Sequence, residues 1–101
     1  MFIYNVTIKL AASIHDDWLQ WIQQEHIPEV IATGCFEKAT LVRLLEVDDS
    51  DGPTYAVQYH AVSRAQYQRY ISLYADGLRQ KSFDRWGNQF MAFRSLMQVI
   101  N

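Results

Sequence analysis

Thr54-Tyr-Ala-Val-Gln-Tyr-His-Ala-Val-Ser-Arg-Ala-Gln66 holds the change of period that decides the fold. Tyr55, Val57 and Tyr59 alternate with Ala56, Gln58 and His60, and a two-residue repeat puts the two sets on opposite faces of a strand. At Ser63 the repeat changes. Ser63-Arg-Ala-Gln66 has the form of a capping box, in which a serine oxygen accepts from a backbone N–H and the glutamine reaches back. Beyond it Tyr67, Tyr70, Ile71, Tyr74 and Leu78 recur at helical spacing. Gly77 is expected to loosen this helix and Gly87 to end it. Asn88 to Ile100 then alternates again, with Met91, Phe93, Met97 and Val99 on one face. Phe90, Ala92, Arg94, Leu96, Gln98 and Ile100 share the other.

The first half of the chain runs through the same order. Phe2, Tyr4, Val6, Ile8 and Leu10 form one face of a strand, and Ile3, Asn5, Thr7 and Lys9 form the other. The unbroken apolar face predicts a central position in the sheet. Ser13-Ile-His-Asp16 reads as another capping-box-like start, followed by an Ile14, Trp18, Trp21 and Ile22 stripe. Pro28 lacks the amide proton and clashes with the preceding turn, so a bend or restart is expected there. Ile27, Val30 and Ile31 continue at a new phase, and Gly34 closes the element. Phe36 to Val47 reads as a strand, Asp48 to Pro53 as a turn, and Thr54 to Ala61 as the returning strand.

The resulting order, β-α-β-β-α-β, predicts an α+β, ferredoxin-like fold with a four-stranded antiparallel sheet. At 101 residues the whole chain, 1–101, is expected to be one domain. Right-handed crossovers put both helices on the same face of the sheet. The other face is left to carry Phe90, Leu96, Ile100 and part of Leu41–Leu45, with Arg94, Lys9, Gln58 and Thr7 as polar neighbours. Covering roughly 600 Å² of it per subunit gains about 15 kcal/mol gross, before the cost of association. A homodimer through this sheet face is therefore expected.

Composition narrows the function classes. The net charge of -2 comes with dispersed Lys and Arg, so no basic stripe offers itself to nucleic acid. No apolar run approaches the ~18 residues of a membrane span. No charged leader precedes the strand at Phe2, so the expected compartment is cytoplasmic. Cys35 is the one cysteine, which rules out an internal disulfide. It reads as a small buried hydrophobe. Hydrophobic residues make up 50% of the chain and aromatics 14%. A domain this small has limited interior, so some aromatics are expected to reach a cleft or a partner surface.

Glu25-His-Ile-Pro-Glu-Val-Ile-Ala-Thr-Gly-Cys-Phe36, Arg43-Leu-Leu-Glu-Val-Asp48, Thr54-Tyr-Ala-Val-Gln-Tyr59 and Phe93-Arg-Ser-Leu96 resemble a bacterial family of uncharacterised proteins, domain-of-unknown-function 4286. The resemblance spans essentially the whole chain. More distantly the pattern is similar to the dimeric α+β barrel superfamily. That similarity implies a pocket between the sheet and the helices of each subunit. The superfamily includes cofactor-free monooxygenases, haem-degrading enzymes and lactone isomerases, and fold-level analogy does not choose among them. The haem-degrading branch uses an axial histidine on the second helix, and Ser63 to Trp86 contains none.

Glu25 is the sharpest candidate. On a 3.6-residue wheel it falls inside the Ile14–Trp18–Trp21–Ile22 stripe, where a carboxylate must be paired, hydrogen-bonded or protonated. It is either a general base, with His26 beside it, or a structural residue that caps the chain after Pro28 or pairs with an arginine such as Arg43 or Arg79. The tyrosines suggest a semi-polar pocket or a core whose hydroxyls reach the rim. Trp21, Tyr55, Tyr59, Tyr67 and Tyr74 are the ligand-binding candidates. His15 reads as solvated in a first helical turn, and His60 as facing the dimer. No two histidines or cysteines have metal-ligand spacing. Asp48, Asp49 and Asp51 lack the twelfth-position ligand of a calcium loop. No metal and no cofactor is expected.

Three function classes follow. The reading that asks least is a non-catalytic interaction protein whose aromatics build the core and the dimer. The alternatives are a module binding a small, aromatic molecule, and a cofactor-independent monooxygenase or isomerase with Glu25 as the base.

Overall fold

The computed structural model describes residues 1–101. Four strands, β1 (Phe2–Leu10), β2 (Lys38–Arg43), β3 (Thr54–Ala61) and β4 (Phe90–Gln98), form one antiparallel sheet in the order β2-β3-β1-β4. β1 is central, as its apolar face predicts. The helical segments fall into two arms. The first comprises α1 (His15–Trp21), a π-helical turn (Ile22–His26) and α2 (Ile27–Ala32), entered through a 3-10 turn (Ala12–Ile14). The second comprises α3 (Arg64–Leu73) and α4 (Ala75–Trp86). This is the ferredoxin-like arrangement.

Register sets the faces. Tyr4 stands opposite Tyr59 and Leu96, Val6 opposite Val57 and Arg94, and Leu10 opposite Phe90. Tyr4, Ile8 and Leu10 are buried, as are Tyr55, Val57 and Tyr59, so this is the helix-covered face. Phe90, Arg94 and Leu96 belong to it, not to the open face. The open face carries Met91 opposite Lys9, Phe93 opposite Thr7 and Met97 opposite Ile3. The alternation of β4 is apolar on both sides, so its own residues could not say which side meets the helices. Pairing with β1 decides it. His60, Gln58 and Thr7 lie on the open face as expected, while Leu41 turns toward the helices and Val42 away.

The first arm is built differently from its sequence signals. Ser13 does not cap it: the 3-10 turn begins after Ala11, and neither it nor α1 has a side-chain cap bond. His15 is not free in solvent either, because its Nε2 lies 2.6 Å from the Tyr55 hydroxyl. Pro28 acts one turn ahead of itself. The Ile27 N–H donates to the Ile22 carbonyl, five residues back. Proline removes one ladder bond and crowds the turn before it, and a widened turn relieves that crowding.

In the second arm Ser63 is a true N-cap, its Oγ accepting from the Gln66 N–H at 3.2 Å. The arm bends at Tyr74 (φ -125°, ψ -29°), not at Gly77. The bonds Tyr74 N–H to Tyr70 O and Leu78 N–H to Tyr74 O persist across the bend, so it redirects the arm without ending it. Gly87 (φ 61°) ends α4, in a conformation that costs glycine little.

β2 is shorter than its apolar run. It stops at Arg43, and the chain passes through a turn in which the Ser50 N–H donates to Asp48 Oδ1. This loop is latched to the end of β1: Leu10 N–H donates to Pro53 O and Ala12 N–H to Asp51 O. Gly52 sits at the latch, where a Cβ would lie 1.8 Å from the Leu10 carbonyl oxygen. No helix is long and apolar enough to cross a membrane.

Candidate functional site

The space between sheet and arms contains a cavity. From below it is lined by Tyr4, Val6 and Ile8 of β1, Val57 and Tyr59 of β3, and Phe90, Ala92 and Arg94 of β4. From above it is lined by Trp18, Trp21, Ile22 and His26 of the first arm, and by Tyr70, Leu78, Arg79, Ser82 and Trp86 of the second. The volume open to the centre of a water molecule is about 50 Å³. At ~10–15 Å³ per water this is room for about three to five waters, and about a third of the ~150 Å³ that accepts one benzene ring.

Aromatic packing forms the closed end. The Tyr4 ring lies 6.0 Å from Tyr59, 5.8 Å from Tyr70 and 6.1 Å from Phe36, with Tyr67 at 5.5 Å. The Tyr4 hydroxyl accepts from an Arg79 terminal nitrogen at 3.0 Å. Burial pushes the Tyr59 and Tyr70 hydroxyls up, and neighbouring tyrosines reinforce it, so both stay protonated donors. Burial works against the Arg79 charge. Its bond to Tyr4, with Tyr4, Tyr70 and Asp76 nearby, outweighs that and raises its pKa.

His26 enters the cavity because of the π turn. Trp21 and His26 are five residues apart, a spacing that in an α-helix points side chains in different directions. Across the wider turn their rings stack at 4.9 Å. Burial lowers the His26 pKa to about 4; Glu29 opposes the shift and Arg94 adds to it. At neutral pH the cavity therefore holds an uncharged imidazole. The same turn moves Glu25 outward. It is exposed and outside the cavity lining, because a wheel drawn at 3.6 residues loses its phase where the helix widens. Arg43 and Arg79, its two expected partners, instead approach Asp49 at 3.8 Å and bind Tyr4.

Of the other sequence candidates, Trp21 and Tyr59 line the cavity. Tyr55 packs at its own place, 5.4 Å from Trp18 and bonded to His15. Tyr67 and Tyr74 are half-buried against the core, and Arg69 lies over the Tyr74 ring. Sequence reasoning missed Arg79, Ser82, Trp86 and Arg94 as site residues. The signals were present. Leu78, Ser82 and Trp86 continue the inner helical stripe at four-residue steps, and Arg94 is a cation in line with Phe90 and Ala92.

Two polar atoms decide the character of the site. Trp86 is 7% exposed, and its Nε1–H is buried with no acceptor in hydrogen-bond range. The Arg79 Nε–H is buried in the same condition. No carboxylate lines the cavity, so it has no carboxylate base. It can donate hydrogen bonds and surround an apolar body.

The sequence matches the family described as Domain of unknown function (DUF4286) over residues 1–100. The chain belongs to this family. No curated protein shows a significant match. Among solved structures, a dimeric ferredoxin-like protein from an uncultured marine organism has a TM-score of 0.70 at 14% identity. That match covers 99% of this chain and 95% of the other. HapK from Hahella chejuensis has a TM-score of 0.72 at 12% identity, covering 100% and 94%. An ethyl tert-butyl ether D family protein from Bacillus halodurans has 0.67 at 8%, covering 99% and 100%. At such identities these likenesses establish the ferredoxin-like fold of the DUF4286 chain and nothing of its chemistry.

Proposed function

We propose that this DUF4286 protein is a non-catalytic, small-molecule-binding homodimer whose ligand sits in the cavity between sheet and helices. The observation that carries the reading is the buried Trp86 Nε1–H. An unpaired buried donor costs about 1–3 kcal/mol, and one carried by a side chain that lines a largely apolar cavity would be satisfied by a ligand acceptor that displaces its neighbours to reach it. The open sheet face supports the dimer. Phe93 and Met91 are 60% and 59% exposed and share their face of β4 with Met97, an apolar row that a second copy would cover.

Native mass spectrometry of freshly purified protein tests both parts. A dimer carrying a small-molecule mass that is absent from Trp86→Phe supports the reading. This substitution keeps one aromatic ring but deletes the donor and the fused five-membered ring, so it should fold with a loss of about 1–3 kcal/mol. A Trp86→Phe variant that still carries the small-molecule mass removes the ligand argument. A monomer at micromolar concentration removes the dimer.

A further inference from the structure

We infer that the two subunits meet about a two-fold axis that crosses their strands, so that the β4 row of one packs on the β4 row of the other. This rests on the homodimer reading above and names the surfaces that meet.

The open face is divided lengthwise. On its β4 side, register sets Met91 beside Lys9, Phe93 beside Thr7 and Met97 beside Ile3. All three β4 residues are exposed. On its β2 side, Thr40 stands beside Gln58 and Lys38 beside His60. No residue that these pairings place on the face is an acid. The apolar row thus runs along one edge of the sheet and the polar groups along the other.

A second copy can cover this face in two ways. Aligned face-to-face packing keeps the strands of both sheets near one direction, so the two-fold axis runs either along the strands or across them. An axis along the strands lays β4 over the β2 strand of the other subunit. Phe93 then meets the partner's Val42, but Met97 meets the partner's Lys38 and Ser95 the partner's Thr40. An axis across the strands lays β4 over its own copy. Met91 then meets the partner's Met97, and the two Phe93 rings come together near the axis. Removing apolar area from water is the main gain of association. The crossing axis sets both rows against apolar groups, whereas the other leaves each Met97 against a lysine.

Charge selects the same arrangement. Lys38 is exposed and in no ion pair. Through His60 it stands at the Ile3 end of the sheet. The acidic hairpin stands at the Lys9 end, where Asp51 O accepts from the Ala12 N–H and Lys9 acts on Asp48. A crossing axis carries Lys38 of each subunit over the hairpin end of the other, where Asp51 is in no ion pair. Opposite charges then face each other across the dimer, and Lys38 is kept apart from its own copy.

Cross-linking tests the axis. Ser95 and Thr40 are exposed on the open face, so Ser95→Cys and Thr40→Cys should fold normally, and the native Cys35 is buried. Facing sheets lie ~10 Å apart, and β4 and β2 of one sheet are separated by three spacings, ~14 Å, so a bis-maleimide of about 8 Å reach reports which strands face each other. The two variants are treated singly and as an equimolar mixture, at a concentration where native mass spectrometry shows the dimer. With the axis across the strands, each variant links to itself, and the mixture yields the two symmetric covalent dimers and no mixed one. Any mixed Ser95–Thr40 link overturns the crossing axis and leaves the sheet-face dimer standing. A dimer that links nowhere, or a monomer, overturns both the sheet-face dimer and the inference.

Discussion

Tyr4 and Tyr59 on one face of the sheet are 4% and 2% exposed, while Phe93, one strand away on the other face, is 60% exposed. The same strands supply both faces, with the same alternation. What differs is the cover. Two helical arms are enough for one face of four strands, and the widened π turn and the bend at Tyr74 shape their contact with it. The apolar residues behind have no helix left to meet. Equal hydrophobicity therefore produces a packed core with a small cavity on one side and an open patch on the other.

The comparison breaks most severely at the covered face. Trp18 is 2% exposed and packs on Tyr55. Trp18→Ala should cost about 4 kcal/mol of folding stability by urea denaturation. At the open face the same kind of loss should spare the fold and strike the assembly. If the proposed dimer forms, Phe93→Glu is expected to cost about 2–4 kcal/mol of association, a thirtyfold or greater rise in its dissociation constant by sedimentation. The far-ultraviolet circular dichroism should not change. If Phe93→Glu melts the subunit instead, the two faces are not as different as drawn.

His26 tests the edge between buried and open. Its pKa is lowered from 6.5 to about 4 on folding, so between those values the unfolded chain binds more protons. Stability should accordingly fall as pH drops from about 6.5 toward 4, by about 2 kcal/mol for this half-buried ring. His26→Gln should flatten that part of the profile. The smallest effect belongs to Glu25. Outward-facing and off the cavity, Glu25→Gln should shift stability by less than about 0.5 kcal/mol in thermal melts, with ligand affinity unchanged.

Much of the fold was readable one element at a time. β1 and β3 keep the limits their alternation implies, Ser63 caps its helix, and the element order yields the topology. The differences arise wherever a residue's place depends on a distant partner. Ser13 looks like a cap, but a 3-10 turn has replaced the geometry a cap needs. The outer half of the predicted second strand is drawn into the loop latched at Gly52. The site was half legible. Trp21 and Tyr59 were found because aromatics on an inner face stand out, and His26 only as the neighbour of Glu25. Arg79 and Arg94 were not assigned to it, because cations are ordinarily on surfaces and nothing local says that a pairing partner turns one inward.

Period and punctuation alone determined that this chain makes four strands and two helical arms, and that its sheet carries apolar groups on both sides. Which side of β4 meets the helices was decided only in the folded molecule. So were the turning of Glu25 outward and of His26 inward, and the meeting of Arg79, Trp86 and Arg94. Alternation and helical spacing are properties of neighbours in the chain, whereas register and helix phase are settled by hydrogen bonds and contacts between segments more than ninety residues apart. A single added residue in one helical turn is enough to exchange a carboxylate for an imidazole at the wall of the cavity.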